Sequence, residues 1–134
     1  MKPNVRVVMS LLALAILAVA CTSIRQPGRT ELSETEFDFG EIPNTGPVSQ
    51  TFQVRNMGQG PLTITGVSTS CGCTTAQVDR DRLGPGETAN LTVTYDPQAH
   101  DGQTGRFMRV VYIRSDDPET PEASLTIRVT VTAP

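Results

Sequence analysis

Tryptophan is absent from this chain of 134 residues, and aromatic residues make up 4% of it. That argues against an antibody-type domain, which packs a buried Trp against an inter-sheet disulfide. Histidine occurs once, at His100. A Ser-His-Asp or Cys-His nucleophile would have to take that residue as its base, and no Gly-x-Ser-x-Gly elbow flanks any serine. Basic residues are outnumbered, 11 against 14 acidic ones, for a net charge of −3. Nucleic acid demands a basic face, so that class of partner is excluded. No apolar run reaches the roughly 20 residues of a membrane-spanning helix.

The longest apolar run, Val7 to Ala20, contains Ser10 as its only polar residue and follows Lys2 and Arg6. A basic start, a short apolar stretch and small residues before a cut predict an export signal over residues 1–20. The residues Leu17-Ala18-Val19-Ala20-Cys21 resemble the bacterial lipobox. That resemblance implies acylation of Cys21, a membrane anchor, and an extracytoplasmic location at the cell surface or in the periplasm. Without the leader the chain keeps nine arginines and fourteen acids, and its net charge moves to about −5. Residues 21–35 are polar and contain Pro27-Gly28, which reads as a lipidated N-terminus and flexible tether. Residues 36–134 are the predicted domain, of a size that supports one modest core.

From Glu36 the pattern is period-2 alternation cut by Gly, Pro, Asn and Asp, the signal of strands rather than helices. Phe37 and Phe39 flank Asp38, and Phe52 and Val54 alternate with polar neighbours. Leu91, Val93 and Tyr95 repeat the pattern, as do Leu125, Ile127, Val129 and Val131. Phe107 to Ile113 is apolar except for Arg109, which predicts a central strand buried on both faces. With a short strand over Cys73–Val78 the total is about seven, an all-β antiparallel sandwich.

Phe37-Asp38-Phe39-Gly40-Glu41-Ile42, the Phe52–Asn56 strand with Gly58, Leu62-Thr63-Ile64, Ser70-Cys71-Gly72-Cys73-Thr74, Gly84-Pro85-Gly86-Glu87 and Tyr95-Asp96-Pro97 follow one another in order. This succession resembles the bacterial domain of unknown function fifteen-seventy-three, over about residues 36–133. The resemblance implies an immunoglobulin-like sandwich akin to hydin-type and major-sperm-protein-type domains. It implies little about function, because a fold does not fix one.

Cys71 and Cys73 carry the candidate chemistry. In an extended strand they point to the same face with Cα atoms roughly 6.6 Å apart, near the upper limit for a disulfide, so a bridge needs the chain to bend at Gly72. Two same-face thiols can instead chelate Cu(I), or Zn(II) with further ligands, for which His100, Met57 and Met108 are the auxiliary candidates. A third reading is thiol redox, and a fourth is plain packing, since cysteine behaves as a small hydrophobe. These alternatives stay open at this level.

Asp116-Asp117-Pro118-Glu119 reads as a turn between strands, with hard-cation binding as the weaker alternative. Arg106, Arg109 and Arg114 read as solvated strand positions, with an anion-binding face as the alternative. Asn90-Leu91-Thr92 matches a glycosylation sequon inside a strand, a context that discounts it. The chain is therefore expected to be a lipid-anchored, extracytoplasmic binding or interaction module with a protein partner. The alternative is a copper-handling or thiol-redox protein using Cys71 and Cys73, the thiol-redox form being the only enzymatic reading the residues support.

Overall fold

The computed structural model describes residues 24–99 and 101–134. The expected leader, Cys21 and His100 lie outside them. Nine strands and no helix form among the described residues: β1 (Thr30–Leu32), β2 (Glu36–Pro43), β3 (Val48–Asn56), β4 (Leu62–Thr69), β5 (Thr74–Val78), β6 (Arg82–Leu83), β7 (Thr88–Tyr95), β8 (Gly105–Ser115) and β9 (Glu122–Thr132). They build two sheets, ordered β1-β3-β7-β5 and β2-β9-β8-β4-β6. The fold is the all-β sandwich expected from the alternation, and it is immunoglobulin-like as the family resemblance implied, with nine strands rather than about seven and one parallel pairing in a sandwich expected to be antiparallel.

The alternating residues supply the layer between the sheets. Phe52, Val54, Leu91 and Val93 line one inner face, while Val111, Ile113, Leu125, Ile127, Val129 and Val131 line the other. Each is buried, while the outward positions of β9 carry Thr126, Arg128 and Thr130. Full burial of one such side chain contributes about 1.5–3 kcal/mol, so this layer is the main source of stability. Phe37 packs edge-on against both Phe39 and Phe52, with ring centroids 5.1 and 5.3 Å apart.

Three expectations need correction. First, β8 is the central strand of its sheet, but only one face is buried: Val111 and Ile113 point inward, whereas Met108 is 58% exposed. Arg109 interrupts an apolar run that is half solvated. Second, the cysteines do not lie in a strand. Cys71, Gly72 and Cys73 form a turn, and β5 begins at Thr74.

Third, the domain begins well before residue 36. β1 pairs antiparallel with the end of β3, Thr30 opposite Asn56 and Leu32 opposite Val54. Ahead of it the chain lies so close to the β3–β4 loop that a Cβ at Gly28 would sit 2.6 Å from the Pro61 carbonyl oxygen, closer than real contacts allow. Only glycine fits there. The segment is polar yet ordered because side-chain and backbone hydrogen bonds replace apolar burial. Asn56, fully buried, accepts from the backbone N–H groups of Arg29 (3.0 Å) and Gly58 (2.9 Å) and donates to the carbonyls of Gly60 (2.8 Å) and Leu83 (3.1 Å). Every hydrogen-bonding site of its amide is thereby used.

After β1 the chain crosses from one sheet to the other. β2 then runs parallel to β9, the one parallel pairing among these strands. A register shift between Asp38 and Glu41 is accommodated by Gly40, whose φ of 73° favours glycine and whose N–H is accepted by the Asp38 carboxylate at 2.7 Å.

Candidate functional site

The Cys71–Cys73 turn carries the chain from β4, in the five-stranded sheet, to β5, in the four-stranded sheet. It is pinned on both sides. The Ser70 N–H donates to the Val110 carbonyl and the Ser70 hydroxyl accepts from the Val110 N–H, both at 2.9 Å. On the other side, the Asp96 N–H donates to the Cys73 carbonyl at 2.8 Å. The turn closes through Thr74 N–H to the Cys71 carbonyl (3.1 Å), and the Thr69 hydroxyl lies within 3.0 Å of that carbonyl and 2.8 Å of the Thr74 carbonyl.

Within this turn Cys71 and Cys73 are joined by a disulfide, with Cα atoms 5.3 Å apart. The turn shortens the roughly 6.6 Å of an extended strand and brings the pair inside the ordinary range for a bridge. The two sulfurs are not equivalent. Cys73 is 3% exposed and belongs to the core, whereas Cys71 packs against the core from a half-buried position.

Arg109 makes the difference chemical. Its Nε–H donates to Cys73 Sγ over 3.1 Å, while another nitrogen donates to the Met108 carbonyl at 2.8 Å. The guanidinium carbon lies 5.2 Å from the centroid of the Phe107 ring, a cation–π contact that helps hold it. Alternation along β8 explains the placement: Phe107 and Arg109 share the inward face with Val111, beyond the end of the packed layer. Tyr95, buried opposite Thr74, completes the surroundings. Burial pushes its phenol above the ordinary value, with Arg109 opposing and Asp96 adding to the rise, so it stays neutral. A cation hydrogen-bonded to a sulfur favours the thiolate when the bond opens.

The auxiliary metal ligands are not assembled here. Met57 is 51% exposed and follows Asn56 at the end of the sandwich where Arg55 faces Thr88; the cysteines lie where Thr74 faces Tyr95. The eight residues of β7 separate the two ends by roughly 23 Å. Met108 projects from the outer face of β8, opposite to Arg109. Among the described residues no three His, Cys, Asp or Glu side chains converge to hold a metal.

The arginines that the sequence grouped are separated. Arg114 pairs with Glu122 at 2.9 Å, Arg106 is exposed, and Arg109 alone turns inward. The one signal available was its position as the sole charge in the Phe107–Ile113 run. In the acidic turn, Asp117 is 2% exposed and already engaged, accepting from the backbone N–H groups of Thr30 (2.8 Å), Glu119 (2.9 Å) and Thr120 (3.2 Å) and pairing with Arg29 at 3.3 Å. Its oxygens serve the fold. Asn90 is tied to Asp79 by two bonds of 2.9 Å.

Among solved structures, a Porphyromonas gingivalis protein of unknown function is similar at 28% identity and a TM-score of 0.70, covering 77% of this chain and 46% of that one. The chain thus spans less than half the length of that relative. The ASH/PapD-like domain 7 of human CEP192 shares the fold at 8% identity and a TM-score of 0.58, covering 78% of this chain and 86% of that domain. The E. coli chaperone DraB shares it at 14% identity and a TM-score of 0.55, covering 80% and 56%. No curated protein matches the chain. The family model described as "Protein of unknown function (DUF1573)" matches residues 30–131, taking in β1 and the cysteine turn, and the chain belongs to that family.

Proposed function

We propose that this protein is an extracytoplasmic, lipid-anchored interaction module that captures an extended segment of a protein partner along the open edge of β5. The observation that carries the reading is the hydrogen-bonding phase of that strand. The Asp79 N–H to Asn90 and the Cys73 carbonyl to Asp96 bonds place Cys73, Thr75, Gln77 and Asp79 in hydrogen-bonded register with β7. Alternation then directs the N–H and C=O groups of Ala76 and Val78 away from β7. β5 ends its sheet, so among the described residues no strand pairs on that side.

The other edges are less receptive. β1 and β6 have three and two residues, and β2 carries Glu36, Asp38, Glu41 and Pro43, the charges and proline that guard an edge. β5 is five residues without a charge or a proline. Main-chain pairing along such an edge gives affinity, and side-chain contacts give specificity. Anchoring through Cys21 is part of the same proposal, since a lipid would hold the sandwich beside partners in the same compartment.

A photo-crosslinking residue at Gln77, compared with one at exposed Arg55, tests this in cells. Discrete adducts from position 77 are expected, and Ala76→Pro should abolish them while leaving the sandwich folded, because the lost N–H points away from β7 and takes no part in the ladder. Equal labelling from both positions, or adducts that survive Ala76→Pro, removes the edge from consideration. Mass spectrometry of the exported chain tests the anchor; an unmodified Cys21 overturns it.

A further inference from the structure

We infer that Cys71–Cys73 is a thiol–disulfide exchange centre, in which a partner's thiolate attacks Cys71 and Cys73, held against Arg109, is the sulfur that leaves. Three features of the turn converge. The bridge joins residues two apart, so it closes almost no loop and contributes little as a staple. Its two sulfurs differ in access, Cys71 half-buried at the surface of the turn and Cys73 within the core. The inner sulfur receives a cationic donor, the Arg109 Nε–H at 3.1 Å, whereas the outer sulfur accepts the neutral backbone N–H of Cys73 at 3.2 Å.

The step follows from exchange chemistry. A thiolate on a protein dithiol attacks Cys71 Sγ, the Cys71–Cys73 bond breaks, and its electron pair passes to Cys73 Sγ as a thiolate beside Arg109. Leaving is faster when the departing thiolate is stabilised, which is what the guanidinium supplies. The partner is now held as a mixed disulfide on Cys71. Its second thiol, losing a proton to solvent, attacks its own sulfur in that bond and expels Cys71 as a thiolate. The partner leaves with a disulfide, two electrons have passed to the Cys71/Cys73 dithiol, and the two thiolates draw protons from solvent as their acidity dictates. Return to the oxidised state requires a second partner of the disulfide class, by the same steps reversed. The turn needs no rearrangement for this, because Ser70, Thr69 and Asp96 hold its backbone independently of the sulfurs.

The inference is independent of edge binding at β5 and has its own test. The oxidised full-length chain is mixed with a synthetic dithiol peptide and its reduction is followed by alkylation and mass spectrometry. Arg109→Gln is expected to slow reduction about three- to tenfold and to lower the equilibrium yield of dithiol at fixed peptide ratio by up to about tenfold, with Arg109→Lys in between. Single-cysteine variants then assign the sulfurs. Offered an oxidised peptide, Cys73→Ala should trap a mixed disulfide on Cys71 at least about tenfold faster than Cys71→Ala traps one on buried Cys73. Circular dichroism of each variant establishes that it is folded. Wild-type rate and yield in Arg109→Gln, or equal trapping by the two single-cysteine chains, overturns the inference.

Discussion

The Asp117 carboxylate accepts the backbone N–H of Thr30 at 2.8 Å across 87 residues of sequence. That contact joins the start of the domain to the β8–β9 connection and makes the fold sensitive to acid. Burial pushes the carboxyl up, but the N–H groups of Thr30, Glu119 and Thr120, with Arg29 beside it, outweigh burial and hold it below the ordinary carboxylate value. The stabilisation is complete above the unfolded-state value and is lost as pH falls through the lower folded one. Asp117→Asn should cost about 2 kcal/mol at neutral pH and flatten the acid limb of stability. Urea titrations across that range check both; an unchanged acid limb contradicts the assignment.

Asn56 should be the costliest polar position. Asn56→Ala removes all four amide hydrogen bonds and strands the Gly60 and Leu83 carbonyls. A loss of about 3 kcal/mol is expected, read as a lower urea midpoint at constant slope.

The position of the N-terminal boundary is directly testable. A chain starting at Glu36 loses β1, the Arg29–Asp117 pair and two donors to Asn56 or Asp117, the Arg29 and Thr30 N–H groups. It should be less stable by about 3 kcal/mol or more than one starting at Ile24, and amide exchange should rise at Gln53, Arg55 and Met57, whose N–H groups face β1 and its flanking residues.

Removing both central cysteines should matter little to stability. Cys71→Ala with Cys73→Ala is expected to cost about 2 kcal/mol or less, since the bridge spans a single residue. A much larger loss in thermal or urea unfolding would mean that the bridge is a structural staple after all.

Strand positions were legible wherever apolar residues alternate, as from Leu125 to Val131, because a period of two places every second side chain in the core. Thr30–Leu32 gave no such signal, having one apolar residue, and its order comes from bonds to Asn56 and Asp117 that lie far away in sequence. The cysteine pair was legible as a pair. Its chemistry was not, since Arg109 is 36 residues from Cys73 and only the pairing of β4 with β8 brings it near. The unequal exposure of the two sulfurs likewise depends on the turn, which the strand pattern did not foretell.

The passage of the chain from β1 in one sheet to β2 in the other also determines how the sandwich would answer mechanical tension. A pull applied through the residues before Ile24 meets the Asn56 and Asp117 contacts first and peels the three residue pairs of β1 from β3. The longer ladder of β2 along β9 stands behind them, in the opposite sheet, with Phe37 wedged against Phe52. A sandwich tethered at that end can therefore lengthen by several residues under load while the core, the β5 edge and the cysteine turn at the far end of β7 stay folded.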